Sequence, residues 1–267
     1  PEDFGSQGKP STHPELLDWL SRDFIESGWD LRHLLSQMVL SSTYRQQSEL
    51  NEFAREKDPG NLLLARSPAY RLPSEMIRDS ALAVSGLLHH KLGGPGVKPY
   101  DLKLSFKPIN PDRAPNVYRR SVYTFWKRTA PTPVMMTLDS SKRAVCMVKR
   151  ERTDSPSQTL VLLNGPQFVE AARATAQRLI EKYGKEEDAL VGHAFRLLTS
   201  RYPSEKEQLV LSQLLEEQKE EFVDANQAKE FLRVGEYKAK AEDPTRLAAV
   251  TALVSTLMNF DEAISKR

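Results

Sequence analysis

Apolar residues recur at three- and four-residue intervals through both ends of the chain, the period of helices that bury one face. In "STHPELLDWLSRDFIESG" the residues Leu16, Leu17, Leu20, Phe24 and Ile25 keep that rhythm up to Gly28, behind a Thr12/Glu15 capping box with Pro14 in the first turn. A second helix is predicted from about Asp30, with Leu31, Leu34, Leu35, Met38 and Val39 on one face, and it runs out in the polar "SSTYRQQSE". The two are expected to pack as a helical hairpin. "RLPSEMIRDSALAVSGLLHHKLGG" predicts a third, with Ser74 as N-cap, apolar Met76, Ile77, Ala81, Val84, Leu87 and Leu88, and a diglycine stop.

The rhythm breaks between Gly93 and about Pro133, where Pro and Gly are too dense for long helices. Val117 to Trp126 is rich in β-branched and aromatic residues and predicts a short strand, with "RAVCMVKRER", Arg143 to Arg152, as its candidate partner. Helical spacing returns in "SPSQTLVLLN", "GPQFVEAARATAQRLIEKYG", "EEDALVGHAFRLLTSR" and "YPSEKEQLVLSQLLEEQKEEFVDA", the last behind a Ser204/Glu207 capping box. "NQAKEFLRVGEYKAKAED" reads as an irregular helix or a connector, and Asp243-Pro244 opens a last amphipathic helix to about Asn259. The expected fold is mainly α: packed helical hairpins with a small two-stranded β element in the middle. Its parts are an N-terminal helical part at 1–110, a basic, aromatic, extended segment at 111–154 and a C-terminal helical part at 155–267, together one compact domain.

Charge changes this picture locally. The 38 Lys+Arg and 36 Asp+Glu nearly cancel, so no long-range field dominates, yet Arg113 to Arg152 holds ten basic residues against two acidic ones. With one cysteine, Cys146, the chain has no intrachain disulfide, C-x-x-C pair or C-x-x-C-H haem attachment; between Val145 and Met147 it reads as a buried, inert thiol. No apolar run approaches the ~20 residues of a membrane span. The opening "PEDFGSQGKPSTHPELL" has no initiator Met and no signal-peptide pattern, and reads as a piece of a longer chain.

Standard catalytic motifs are absent: there is no G-x-G-x-x-G after a strand, no G-x-x-x-x-G-K-[ST], no G-x-S-x-G and no H-E-x-x-H. "GGPG" at Gly93 to Gly96 has no helix directly behind it and reads better as a plain loop than as an anion cradle. The five histidines lack metal-ligand spacing, so no metal site is expected.

The stretch with most chemical content is "YRRSVYTFWKRTAPTP", Tyr118 to Pro133. As a strand it puts Tyr118, Arg120, Val122, Thr124 and Trp126 on one side and Arg119, Ser121, Tyr123, Phe125 and Lys127 on the other, so neither face is purely polar. Two readings fit. One is an anion-binding groove, with Arg as bidentate donor and Tyr or Trp as stacking surface, suited to acidic or sulfated sugars and to nucleic acid. The other, which the balance favours, is internal Arg-carboxylate and Arg-aromatic pairing.

"HPELLDWLSRDFIESGWDLRHLL", "SSTYRQ", "RLPSEMIRDSALAVSGLL", "GGPGVKPY", "VYRRSVYTFWKRTAPTP", "RTDSPSQTLVLLNGPQFVEAAR" and "MNFDE" resemble, in this order, the planctomycete-specific domain of unknown function 1553, over about Pro1 to Asp261. The resemblance implies the C-terminal part of an exported planctomycete protein, often with a c-type cytochrome module and a second uncharacterised domain upstream. An extracytoplasmic (periplasmic or secreted) location, haem c in an upstream domain and a setting of polysaccharide use follow from it; no cofactor is expected in this chain. Arg152 to Gln158 departs from the family's Arg-Thr-Asn-Thr-Pro-Leu-Gln in having Asp154 for Asn and Ser157 for Leu, and Gly165 stands where Asp is common.

The composite site candidate is Arg119, Arg120, Tyr123, Trp126, Lys127 and Arg128 from the basic stretch with Arg150, Arg152, Asp154, Gln158 and Asn164, brought together if the two strands pair. Asp154 is a partner for the arginines or a cap for the helix near Pro156. Three functions remain. The first is an accessory or scaffold module that docks upstream domains of the same polypeptide and an acidic or sulfated glycan. The second is an enzyme on complex polysaccharide, redox through the upstream haem or hydrolytic through Asp112 with Asp139 or Asp154. The third, nucleic-acid binding, is disfavoured by near-neutral overall charge and the implied export.

Overall fold

The structure is a computed structural model and describes residues 5–100, 110–127, 129, 131–147, 149–238 and 242–266. Its fold is mainly α, with twelve α-helices and one two-stranded antiparallel sheet among the described residues. Contacts divide the chain into two units, one within Pro1–Arg71, Met147–Lys149 and Ser265–Arg267, the other within Leu72–Cys146 and Arg150–Ile264.

The first unit holds α1 (Pro14–Glu26), α2 (Leu31–Leu40) and α3 (Glu52–Lys57). The Thr12/Glu15 capping box does not form. α1 starts one residue later, with His13 as N-cap and Pro14 at its first position, and the Thr12 hydroxyl meets His13 Nδ1 at 2.9 Å. Asp30 caps α2 as its sequence position predicts, accepting from the amides of Arg32 at 2.8 Å and His33 at 3.2 Å. α1 and α2 form the expected hairpin, joined where the Asp23 carboxylate meets His33 Nε2 at 3.0 Å and Gln37 Nε2 at 3.1 Å. The sheet pairs β1 (Tyr70–Arg71) with β2 (Ser265–Lys266), so the β element is not built from the middle of the chain.

The second unit contains α4 (Ser74–Ser85), α5 (Pro133–Thr137), α6 (Pro156–Asn164), α7 (Pro166–Tyr183), α8 (Glu187–Thr199), α9 (Glu205–Glu221), α10 (Ala225–Phe231), α11 (Pro244–Met258) and α12 (Asp261–Ile264). α11 was expected to be amphipathic; instead it buries residues all round, because α7, α8, α9 and α10 pack about it. Its fully sheltered Thr251 adds little polarity, since Oγ1 donates back to the Leu247 carbonyl at 2.6 Å. On the α7 side, Ala171, Ala172, Ala174 and Ala176 are small enough for neighbouring helices to approach closely. Ser204 and Glu207 form the predicted capping box of α9, while the α4 cap shifts by one residue to Pro73.

Val117 to Trp126 is not a strand. It folds as two short 3-10 turns, Asn116–Tyr118 and Ser121–Tyr123, and none of the described residues from Arg143 to Arg152 is in a strand. Its backbone bonds instead to the chain at 89–97: the His89 amide donates to the Tyr118 carbonyl at 3.0 Å, and Val97 exchanges bonds with Tyr123 and Phe125 at 2.8 and 2.7 Å. With no second strand to shelter it, Cys146 is exposed, which corrects the buried-thiol reading; its neighbour Val145 is 72% exposed.

Candidate functional site: a basic segment clamped from within

The segment 113–127 is held by an arginine that the sequence reading did not single out. Arg78 lies in the buried stripe of α4, beside Ile77, Ala81 and Leu82, at 2% exposure. Its guanidinium donates to the carbonyls of Val117 at 2.6 Å and Arg119 at 2.9 Å, to Ser121 Oγ at 3.1 Å and to Gln167 Oε1 on α7 at 2.7 Å. The planar fork supplies several donors in fixed directions, so one side chain fixes three points of an irregular segment at once. The adjacent Asp79 accepts from the Ser121 amide at 2.7 Å and stands 3.7 Å from Arg78.

Arg119, also 2% exposed, turns the other way. It donates to the carbonyls of Lys91 and Pro95, each at 3.1 Å, and to that of Gly93. Its guanidinium stands 3.8 Å from the ring centre of Tyr123, whose hydroxyl accepts from the Gly93 amide at 2.8 Å. The glycine loop therefore directs carbonyls inward onto a cation of the protein itself, the reverse of the polarity that an anion cradle requires.

The remaining candidates fall into separate groups. Arg120, with a side chain 59% exposed, is 3.5 Å from Asp79, and Arg150 meets Glu75 at 2.7 Å, so the two cations sit on acids one turn apart on α4. Burial raises the Glu75 carboxyl, but the hydrogen bond and charge of Arg150 outweigh it and hold the carboxyl below its ordinary value. Trp126 donates from its indole to the Lys142 carbonyl at 3.0 Å and carries Arg143 at 5.0 Å from its ring centre. Lys127 is half-buried, Arg152 and Asp154 are exposed, and Arg128 lies outside the described residues. Gln158 is buried and donates to Asp139 at 3.2 Å and to Thr153 Oγ1 at 3.0 Å; its Oε1 accepts from the amide of Ser155, the residue that caps α6 in place of Asp154. Asn164 bonds back to the Leu160 carbonyl within α6 at 3.1 Å.

Of the carboxylates named for hydrolysis, Asp139 fixes the Thr153 loop by accepting from its amide at 2.7 Å, and Asp112 accepts from the Lys98 amide at 2.9 Å. No group of three or more His, Cys, Asp or Glu arranged to hold a metal occurs among the described residues. A second buried polar centre lies on α7. Glu170 accepts from the Tyr118 hydroxyl at 2.6 Å and from the Tyr237 amide, and Arg173 donates to the carbonyls of Leu232 and Tyr237. Burial and the Glu170 carboxylate push the Tyr118 phenol far above its ordinary value. Gly235, at φ +82°, passes so near that a Cβ there would overlap the Glu170 carboxylate. The signal available in sequence for Arg78, Glu170 and Arg173 was a charged residue inside an apolar helical stripe.

No curated protein and no solved structure matches the chain. A family model does, over residues 1–215: by that match the chain belongs to the PSD1 family, protein of unknown function (DUF1553).

Proposed function

We propose that this chain is a helical accessory module of an exported multidomain protein, and that the outer face of its basic segment holds an anionic polysaccharide. The observation that supports it is a division of roles among neighbouring cations. Arg78 and Arg119 are bound to carbonyls inside and stiffen the segment; Arg120, Lys142, Arg143 and Arg152 remain at the surface, and Arg143 stands 5.0 Å from the centre of the Trp126 ring. A stiff backbone that presents exposed guanidiniums and an aromatic face suits a sulfated or carboxylated sugar, since donors fixed in advance lose little entropy on binding. Export, planctomycete origin and an upstream c-type cytochrome module enter through the sequence resemblance alone.

The test compares a heparin-like glycan with single-stranded DNA, at two salt concentrations, on the wild type and on Arg120→Ala/Arg143→Ala. Glycan affinity is expected to fall about tenfold in the variant, with melting temperature unchanged. Glycan affinity equal in the two proteins sinks the reading, and DNA binding that is tighter than glycan binding and falls steeply with salt replaces it with nucleic-acid recognition.

A further inference from the structure

α1 and α2 bury no residue, although each carries an apolar stripe: Leu16 is 46% exposed, Trp19 55% and Met38 43%. These stripes open onto a groove of about 780 Å³ whose walls include Leu16, Trp19, Leu20, Met38, Tyr44 and Leu64. Single exposed apolar side chains are ordinary, whereas a continuous apolar groove marks a contact surface. Two cations, Arg66 and Lys266, also line it, and among the described residues no carboxylate does. Arg66 is engaged by the carbonyls of Asp58 at 3.0 Å and Pro59 at 2.8 Å. Lys266, placed by its pairing with Tyr70, has its ammonium 4.8 Å from the Tyr44 ring and 5.8 Å from the Tyr70 ring. Among the described residues Ser67 Oγ, at 2.9 Å, is its hydrogen-bond acceptor, which leaves donors of the ammonium open.

We propose that this groove docks an amphipathic helix of a partner protein domain, one that carries a carboxylate beside its apolar stripe to meet Lys266. Charge complementarity selects the acid: among the described residues the groove brings cations and no anion to a largely apolar contact. Two features select a helix over a small amphiphile. Leu16, Trp19 and Leu20 stand at i, i+3 and i+4, the ridge spacing into which another helix packs. Apolar exposure also continues past the groove along Leu17 at 55%, Leu35 at 51% and Val39 at 48%, more surface than a small ligand covers. This surface is separate from the basic segment, and the inference does not rest on polysaccharide binding.

The probe is a short stapled helix with a leucine stripe and one Glu beside it, together with its Gln counterpart, titrated onto the whole chain by fluorescence anisotropy. The Glu peptide is expected to bind about tenfold more tightly than the Gln peptide. Lys266→Gln should remove that difference, and Trp19→Ser or Met38→Ser, both at exposed positions, should weaken both peptides with the circular dichroism spectrum intact. Equal affinity of the two peptides, binding that survives Trp19→Ser, or no binding of the Glu peptide overturns the proposal. Sedimentation that shows self-association abolished by Trp19→Ser also overturns it, by assigning the groove to a second copy of the chain.

Discussion

The two units invert each other's relation between polarity and burial. In the second, Arg78, Arg119, Glu170 and Arg173 are 2–4% exposed, while in the first Trp19 and Trp29 are 55% and 66% exposed. Burial here follows partners more closely than residue type. Each buried guanidinium donates to at least two backbone carbonyls, so its desolvation is offset by charge-assisted bonds, and the irregular segments it holds gain acceptors they would otherwise need from water. Among the described residues the stripes of α1 and α2 meet no comparable surface. α7 and α1 are both amphipathic, but α7 buries eleven of its residues and α1 none, so the pattern defines a face without defining what it meets.

The sharpest way to break the comparison is to remove a buried cation and an exposed one. Arg78→Met retains the stem and deletes the donors, leaving the carbonyls of Val117 and Arg119 and the Gln167 amide oxygen without their partner. The expected loss is about 3–5 kcal/mol of unfolding free energy by urea denaturation. Arg120→Ala, which removes a side chain 59% exposed and 3.5 Å from Asp79, should cost no more than about 1 kcal/mol. Similar losses in the two variants would mean that the inner clamp is not what holds the segment.

The same inner clamp explains why the basic segment was misread while most helices were placed correctly, although α4 stops at Gly86 and not at the diglycine. The helices follow from spacing and caps that lie within one stretch of chain, as at Asp30, Ser204 and Asp243. Val117 to Trp126 has the composition of a strand, but Arg78 from α4 draws in its carbonyls and Arg119 leaves for the glycine loop, so Tyr118 and Arg119 are buried in succession. Alternation cannot produce that pattern; a turn held from two sides does. The actual sheet escaped notice because its strands are two residues each and join Tyr70 to Lys266, too short for any period and too distant for any turn signal. Of the candidate site, the cations were legible by residue type, but which of them face inward depends on contacts from α4, which no local pattern contains.

Between the buried clamp and the bare hairpin lies an intermediate case, the Arg150–Glu75 pair on the edge of α4. The folded carboxyl is held below its ordinary value, so the folded state binds its proton less readily than the unfolded chain. The contribution of the pair is therefore complete above the ordinary carboxylate value and is lost as pH falls through the folded one. Arg150 is 42% exposed, which limits the effect to about 1 kcal/mol. Arg150→Ala should unfold at lower urea than the wild type at neutral pH, with the gap closing in acid. A gap independent of pH would show that Arg150 acts through packing of its stem.

The smallest expected effect tests the other side of the comparison. Leu17→Ser and Leu35→Ser change side chains that are 55% and 51% exposed, so folding withdraws only part of their apolar area from water. Each should alter unfolding free energy by less than about 0.5 kcal/mol, against about 2–5 kcal/mol for Leu253→Ala in the closed interior of α11. Because contacts divide the chain into two units, the hairpin should be followed by tryptophan fluorescence as well as by far-ultraviolet circular dichroism, with Trp19 and Trp29 as reporters. Losses near those of Leu253→Ala would mean that the α1 and α2 stripes are covered in solution and that the inversion between the units is not real. Near-zero losses, combined with weaker binding of the acidic helical probe by the same two variants, would extend its docking surface beyond the groove, because residues that contribute nothing to folding would then contribute to contact with a partner.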